Sequence, residues 1–423
     1  MKEEFISHLW RQGFLQSTGL KTLDGIAVEI ISPGWDNQDS GPDFLAAKVR
    51  IDGILWAGNV EVHVCSSDWD KHGHQHDEAY DNVILHLVYR GDKRVFNSRG
   101  EPVPILEIKN NVDPSTLDRY KNFWTTKCRI PCLPRLDQVS EVLISNWLRH
   151  LLMERMERKA GEMGRFLDYF SNNWEQVFNF LLARNFGMKT NMVPFGLLAQ
   201  ATPFGLMAKC RGQPSRIEAI LFGQAGMLDR EFSETYPAGL KKEYKYQQHK
   251  FRLNPLRFSL WKFSRLRPPN FPTIRIAQFA MLMNKPIRLF RATMEATGPG
   301  CLHHILETTA SGYWDTHYVF EKASVCQPKN LGKETMNNII INTISPLQYI
   351  YGKETNTPEL LGRALAQLHE IPPENNGPVR RWKASGFVPR NAADTQALLE
   401  AWKQFCIPGK CLCCRIGQQL MSA

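Results

Sequence analysis

The stretch GNVEVHVCSSDWDKHGHQHDEAY, residues 58–80, decides how the first part of the chain is interpreted. Its first half alternates, with three valines on one side of an extended strand and Glu61, His63 and Cys65 on the other. The valine side fits a buried core. An acid beside an imidazole on the opposite side is unusual for a strand in the middle of a sheet, and it indicates a functional site.

Strand patterns continue on both sides of this stretch. Strands are predicted over 26–31, 44–51, 54–65, 83–89 and 103–108, separated by turns rich in Gly, Pro, Asp and Asn. Residues 2–17 have the spacing of an amphipathic helix, and 74–81 are predicted as a short helix. Asp52-Gly53 predicts a two-residue hairpin turn. The resulting order, a helix, three strands, a helix and one or two strands, predicts a compact α+β unit that ends near residue 110.

The remainder of the chain is predicted to be mainly α-helical. Helical patterns cover 138–159, 174–185, 215–228, 239–250, 274–284, 287–297 and 395–405, whereas 185–204 and 265–272 are predicted as loops. We therefore expect an α+β domain over 1–115, a linker over 116–136 that carries Cys128 and Cys132, and a basic helical region over 137–423 that ends in a cysteine-rich tail.

Charge is distributed unevenly over the 423 residues. Residues 1–110 hold 11 Lys and Arg against 17 Asp and Glu, and the remainder holds 41 against 25. An acidic beginning with a basic remainder is typical of a cation site near a surface for a polyanion, although a solvated surface is the simpler explanation of the charge alone. The absence of a long apolar run predicts no membrane span, and the acidic N-terminus is unlike a signal peptide, so we expect a cytoplasmic protein with reduced thiols.

Asp43, in the segment DSGPDF, is the expected partner of Glu61. A regular hairpin would place Asp43 opposite Val62, on the wrong face of the sheet. A one-residue bulge at Gly58–Asn59 would correct the register and place Asp43 opposite His63, so we predict a bulge there.

Two converging carboxylates are suited to Mg²⁺ or Mn²⁺. Such an ion generates hydroxide and offsets charge on a phosphoryl oxygen. His63 would position or deprotonate the attacking water, and Glu4 on the first helix would complete the acid cluster.

The arrangement Glu4 … Gly41-Pro42-Asp43 … Glu61-Val62-His63 resembles the PD-(D/E)XK nuclease superfamily over about the first 110 residues. The resemblance implies a restriction-endonuclease-like mixed sheet in αβββαβ order and metal-dependent cleavage of DNA or RNA. It implies that Asp43 is the aspartate of the motif, that Glu61 is the second metal ligand, and that His63 stands where the superfamily usually has lysine.

The whole chain is also similar to an uncharacterised bacterial family. The segments SGPDF, GNVEVH, SSDW, HxHxxD and YDNVILHLV occur in this order in the sequence. This second resemblance implies no particular activity.

Two alternatives to the nuclease hypothesis remain open. A zinc-dependent hydrolase would use the histidines of His72–His76 and Asp77, with His63 or Cys65 nearby. Their spacing is not that of a typical structural zinc site, and exposed hydrogen-bonding histidines are the simpler explanation. A catalytically inactive nucleic-acid-binding or scaffold protein would keep the fold and bind without cleavage.

Cysteines are concentrated in two short segments. CRIPC contributes Cys128 and Cys132, and CIPGKCLCC contributes Cys406, Cys411, Cys413 and Cys414. One pair from each segment would make a four-thiolate site for structural zinc. An iron–sulfur cluster, which some nucleases of the resembled superfamily contain, is the alternative, as is a set of free buried thiols.

Residues 241–278 interleave Lys and Arg with Tyr, Phe and Trp. Cations contact phosphates and aromatic rings stack on unpaired bases, so this segment predicts a nucleic-acid surface in which Arg265, Arg267 and Arg275 are the best candidates. The alternative is that the aromatic rings pack the helices and the cations extend from them into water.

Overall fold

The computed structural model describes residues 2–15, 19–37, 39–124, 130–384 and 386–422. The chain forms two compact units. Unit one comprises Met1–Leu148, Arg380–Phe387 and Leu399–Ala423, and unit two comprises Arg149–Val379 and Val388–Leu398. The C-terminal cysteine-rich tail therefore belongs to the same compact unit as the N-terminal strands. The division into 1–115, 116–136 and 137–423 stays a prediction.

A mixed sheet organises unit one. Its strands are β1 (Val28–Ser32), β2 (Trp35–Asp36), β3 (Phe44–Ile51), β4 (Ile54–Cys65), β5 (Val83–Arg90) and β6 (Ile105–Glu107). The order across the sheet is β1-β3-β4-β5-β6, and β2 pairs with β3. Strands β1, β3 and β4 are antiparallel, whereas β5 and β6 run parallel to β4. An α+β fold followed by a mainly helical region is confirmed.

The remaining elements are mostly helices. They are α1 (Glu3–Gln12), α2 (Asp68–Lys71), α3 (Pro114–Trp124), α4 (Glu141–Tyr169), α5 (Trp174–Phe186), α6 (Met188–Ala201), α7 (Phe204–Lys209), α8 (Pro214–Gln224), α9 (Thr235–Phe251), α10 (Pro272–Met283), α11 (Leu289–Glu295), α12 (Pro299–Leu306), α13 (Lys333–Ile339), α14 (Ser345–Glu354), α15 (Pro358–Glu370), α16 (Gly377–Ala384), α17 (Ala392–Ala401) and α18 (Arg415–Ser422), with a small hairpin of β7 (His317–Val319) and β8 (Lys322–Ala323). None of the helices in the described part of the chain has both the length and the apolar character needed to cross a membrane.

Helix α1 is shorter than its apolar pattern predicts. It ends at Gly13, whose φ of 68° is left-handed and whose N–H group donates to the carbonyl oxygens of Leu9 and Trp10. Glycine commonly ends a helix in this conformation because it has no Cβ atom that would clash with the backbone. Phe5, Leu9 and Trp10 are buried, and the helix packs most closely against β4.

The hairpin turn between β3 and β4 is the one that the sequence predicts. Asp52 and Gly53 have φ values of 52° and 77°, which is the pattern of a type I′ turn. Ile51 pairs with Ile54 directly across this turn. The hairpin therefore fixes the register from which the rest of β3 and β4 is measured.

The connection from β4 to β5 holds the histidine-rich sequence. It contains α2 and two 3-10 turns, His74–His76 and Glu78–Tyr80, in place of the single short helix predicted over 74–81. Gly73 is left-handed and Asp77 is extended, so each interrupts a continuous helix. Trp69 is fully buried, and its ring lies 5.9 Å from that of Tyr80, which anchors the connection to the core.

The loop predicted over 185–204 was wrong, because α6 occupies most of it. Pro194 lies inside the helix and removes one N–H donor. The helix accommodates it through a kink at Asn191, whose φ is −114°. The Asn191 side chain exchanges two 2.9 Å hydrogen bonds with the backbone of Lys262, which supports the kink.

Candidate functional site

A bulge in the hairpin brings the two predicted acids together. Phe44 pairs with Val60 and Ala47 with Gly58, so two residues of β3 lie opposite Asn59 alone. Ala46, inside the bulge, has a left-handed φ of 55°. The predicted position of the bulge at Gly58–Asn59 was wrong, because the extra residue lies in β3 rather than β4. The register therefore shifts in the other direction and places Asp43 beside Glu61.

Gly58 has a different role from the one predicted. A Cβ atom at this position would lie 2.4 Å from Cγ2 of Ile84 and 2.7 Å from the carbonyl oxygen of Asn82. The pairing of β4 with β5 also shifts at Asn59–Val60. Glycine is therefore needed because the start of β5 approaches β4 closely at this point.

Two hydrogen bonds between backbone N–H groups and side-chain carboxylates connect the segments of Asp43 and Glu61. The Asp43 N–H group donates to Glu61 Oε2 at 3.1 Å, and the Val62 N–H group donates to Asp43 Oδ2 at 3.0 Å. Burial, and then the charge of Glu61, raise the pKa of Asp43 to about 7, while the bond from Val62 lowers it. Two acids so close together make a site that a cation would stabilise.

Three imidazoles complete this group. His63 Nε2 lies 2.9 Å from His72 Nδ1, and Glu61 Oε1 lies 3.5 Å from His63 Nε2 and 3.2 Å from His74 Nε2. The ligand atoms of His63, His72 and His74 all lie within 4.8 Å of one another. We call Asp43, Glu61 and these three histidines the imidazole–acid site.

Aromatic packing orients the rings of the imidazole–acid site. His74 stacks on Tyr80 with ring centroids 3.8 Å apart and meets Trp69 edge-on at 5.3 Å. His74 Nε2 is buried and has no aligned hydrogen bond among the residues that the structure describes, although Glu61 is close. A buried polar atom in this state is costly unless a ligand engages it.

His86, which was not among the predicted site residues, contacts His63 on the side away from Glu61 and His72. It pairs with Glu61 across β4 and β5, and its Nε2 lies 2.9 Å from His63 Nδ1. Burial lowers the pKa of His86 well below its ordinary value and lowers that of His63 to about 3, with the charges of His72 and His74 adding to the effect on His63. Both rings are therefore neutral, which is the form that binds metal ions. The only sequence signal was a histidine within an otherwise apolar strand.

The acid that α1 presents to this site is Glu3 rather than Glu4. Glu3 interacts electrostatically with His72 and Glu61, and burial raises its pKa. Glu4 instead interacts with Cys411 and Cys413. Neighbouring positions on a helix point in directions about 100° apart, so only one of the two acids can face the sheet.

The predicted zinc ligands are also only partly brought together. His76 is exposed and lies outside the imidazole–acid site. Asp77 uses its carboxylate to accept from the Ala79 N–H group, and the Cys65 sulfur accepts a 3.5 Å contact from Arg90. His72 and His74 join His63 instead, because His63 projects from the strand that they cover.

One family model matches most of the chain. A model described as "Protein of unknown function (DUF2851)" matches residues 3–377. The chain belongs to this family. The comparisons with curated proteins and with solved structures found no match. The range shared with DUF2851 includes the whole imidazole–acid site and ends before the C-terminal cysteines.

Four of the predicted cysteine ligands meet in unit one. Cys132, Cys406, Cys411 and Cys414 line one small cavity, and we call them the four-cysteine site. Burial, and then the charges of the other three thiols, raise the pKa of Cys132 well above its ordinary value. Cys128 lies outside the described residues. The described cysteines are free thiols.

The three predicted nucleic-acid contacts differ in their surroundings. Arg265 and Arg267 are exposed, but Arg275 is 5% exposed. Its guanidinium donates to Asn270 Oδ1 at 2.6 Å and to Thr335 Oγ1 at 3.0 Å. The prediction that Arg275 contacts a phosphate was wrong. The first turns of α10 are buried, and the guanidinium of Arg275 makes its hydrogen bonds to other side chains of unit two.

Another basic surface occurs in unit two. An open cavity is lined by the cations Arg230, Lys241, Lys245, Arg257 and Lys322 and by the aromatic residues Tyr244, Phe258, Phe263 and Phe320. The segment 241–278 predicted part of this lining. Arg230 and Lys322 come from distant segments and carry no local signal, so sequence reasoning missed them.

Proposed function

We propose that this protein is a metal-dependent hydrolase of nucleic-acid phosphodiesters whose centre is the imidazole–acid site. The observation that carries the proposal is the convergence of Glu61 Oε1 with the ring nitrogens of His63 and His74 at 3.5 and 3.2 Å, beside a second acid. The order of elements in unit one, with helix α1, strands β1–β4, helix α2 and strands β5 and β6, is similar to the αβββαβ order of the PD-(D/E)XK nucleases and supports a relationship with them as part of the same proposal.

The mixed ligand set favours Mn²⁺ over Mg²⁺. Imidazole suits transition metals, whereas carboxylates suit Mg²⁺, Ca²⁺ and Mn²⁺, so Mn²⁺ is compatible with both ligand types. Zn²⁺ is the second candidate, because three histidines with an open position are typical of catalytic zinc. When bound, the ion would acidify a water molecule and offset charge on a phosphoryl oxygen.

The protein groups would divide the remaining tasks. Glu61, His63, His72 and His74 would hold the ion. Asp43, fixed by the Val62 N–H group, would accept a proton from the attacking water. His86 would orient His63 through the contact between His86 Nε2 and His63 Nδ1, as partners of metal-bound histidines commonly do.

The basic cavity of unit two supports a nucleic-acid substrate. Its cations would neutralise phosphates, and Tyr244, Phe258 and Phe263 would offer faces to unpaired bases. Arg265 and Arg267 remain candidates for further phosphate contacts because they are exposed. A cytoplasmic location, where thiols stay reduced, is part of this proposal.

The test is a cleavage assay with the full chain. Single-stranded and duplex DNA and RNA would be incubated with Mn²⁺, Zn²⁺ or Mg²⁺, with wild type compared with Glu61→Gln and His72→Ala. His76→Ala is the matched control, because His76 lies in the same segment but is exposed and outside the site. We expect cleavage by wild type and by the control only.

The absence of cleavage with every metal and substrate would contradict the proposal. Binding that is equally strong in wild type and Glu61→Gln, and that weakens steeply with salt, would then support the inactive nucleic-acid-binding alternative. Zinc-dependent hydrolysis of other esters, with no effect on nucleic acids, would support the zinc-hydrolase alternative instead.

A further inference from the structure

The four-cysteine site joins segments that are far apart in sequence. Cys132 precedes a short 3-10 segment, Leu133–Gln138, whereas Cys406 ends the π-helical segment Trp402–Cys406. Cys411 and Cys414 border a single 3-10 turn. Each of the four thiols lies within electrostatic range of the other three. Four such side chains around one cavity make a ligand set rather than a scatter of core thiols.

The backbone around the site is built tightly. A Cβ atom at Gly417 would lie 1.9 Å from the carbonyl oxygen of Cys411. Helix α18 can therefore lie against the Cys411 turn only because this position is glycine. The close approach fixes Cys411 and Cys414 relative to one another.

Hydrogen-bond donors lie near the sulfur of Cys414. Burial, the largest effect, raises the pKa of this thiol, whereas the backbone N–H groups of Gly417 and Ile416 and the indole of Trp147 lower it. Such donors stabilise negative charge on sulfur, and they are a common feature around metal-bound thiolates.

The indole of Trp382 supplies a second, independent indication. Trp382 lines the cavity and is 1% exposed. Its Nε1 atom is buried and has no hydrogen-bond partner among the residues that the structure describes. A sulfide or thiolate acceptor within the cavity would satisfy this donor, whereas the rest of the lining offers mainly apolar groups such as Ile130 and Phe405.

The spacing of the thiols distinguishes one ion from a cluster. Around a single zinc ion with Zn–S bonds of about 2.3 Å, tetrahedral geometry places the sulfur atoms roughly 3.8 Å apart. Among the described residues, no three cysteine sulfur atoms all lie within 4.8 Å of one another, whereas the ligand atoms of His63, His72 and His74 do. The thiols are therefore more widely spread than one ion requires, as is expected when each ligand binds a different iron atom.

We propose that Cys132, Cys406, Cys411 and Cys414 hold an iron–sulfur cluster that fastens the C-terminal tail within unit one. Cys413 is exposed and is not a ligand. The proposal is independent of the hydrolase activity, because the two sites share no residue.

The test is metal analysis of the full chain, purified without oxygen and reconstituted with ferrous iron and sulfide. We expect brown protein with broad visible absorption, containing about four iron and about four sulfide per chain, and a higher melting temperature than the unreconstituted protein. Cys132→Ser and Cys406→Ser should lose the absorption. Cys413→Ser and Cys301→Ser, which replace exposed thiols, should keep it.

Three outcomes would overturn the proposal. Colourless protein with stoichiometric zinc that Cys406→Ser removes would assign a zinc site, and protein without bound metal would remove the site altogether. Equal loss of iron in Cys413→Ser would refute the ligand set. The wild-type measurements do not depend on how the variants fold. If Cys406→Ser lost its iron but still bound Mn²⁺, the four-cysteine site would be shown to be independent of the imidazole–acid site.

Discussion

The imidazole–acid site and the four-cysteine site lie in the same compact unit but are built differently. The first uses residues 43–74, which one hairpin and one connection bring together, and its polar atoms lie 2.9–3.5 Å apart. The second joins residues more than 270 positions apart in an apolar cavity. Local register therefore determines one site, and long-range packing determines the other.

Helix α1 touches both arrangements. Glu3 interacts with the imidazole–acid site, and Glu4 interacts with the cysteines. The two sites are thus chemically separate but share one supporting element. Substitutions within one site should leave the other intact, whereas loss of α1 packing should affect both.

Glu61→Gln should have the largest effect. It removes a charged ligand but keeps the shape of the side chain, and the lost stabilisation of several kcal/mol corresponds to a fall in kcat/KM on the order of a thousandfold. The iron content of the reconstituted protein should not change. Parallel assays of cleavage and iron would reveal any coupling, and loss of iron in this variant would break the separation of the two sites.

Acid should weaken both sites through His8 on α1. Its ring is fully buried, neither nitrogen has a partner among the described residues, and burial lowers its pKa from 6.5 to about 4. The unfolded chain binds this proton first, so the stability contribution is complete above pH 6.5 and falls by roughly 3 kcal/mol as the pH drops to 4.

The measurement for His8 is denaturant unfolding at several pH values. His8→Phe removes the titrating group and keeps an aromatic ring beside Phe14, so this variant should have a flatter pH profile between 6.5 and 4. A wild-type and a variant profile of the same slope would show that His8 does not control this transition.

His86→Ala should weaken the imidazole–acid site by a smaller amount. Removing a group that orients a metal ligand typically costs 10–100-fold in metal affinity. Calorimetric titration of Mn²⁺ into wild type and variant would measure the change. Affinity equal to that of wild type would mean that the 2.9 Å contact with His63 does not orient the ring.

Ala46→Gly should have the smallest effect and the opposite sign. The φ of Ala46 is 55°, and glycine adopts this conformation without the penalty of roughly 1 kcal/mol that alanine pays. We expect a small gain in the free energy of unfolding with metal binding preserved. Deleting Ala46 is the matched counterpart, because one residue fewer in β3 leaves a regular register in which Asp43 still lies opposite Glu61, so metal binding should be preserved there as well.

The sequence predicted most of the strands and placed Asp43 on the same face of the sheet as Glu61, because alternation and an Asp-Gly turn are local signals. It misplaced the bulge, because the choice of strand depends on how β5 packs against Gly58. It also missed His86 and overrated Arg275. Both residues are buried against residues far away in the sequence, His86 against His63 and Arg275 against Thr335, and a local sequence pattern does not reveal such contacts.

The most direct test of the central claim is the stoichiometry of metal binding to the imidazole–acid site. Mn²⁺ would be titrated into wild type, His76→Ala and Glu61→Gln in parallel, because Zn²⁺ would also bind the thiols of the four-cysteine site. The structure predicts about one ion per chain for wild type and His76→Ala and none for Glu61→Gln. Equal binding by Glu61→Gln and wild type would contradict a metal site built on Glu61.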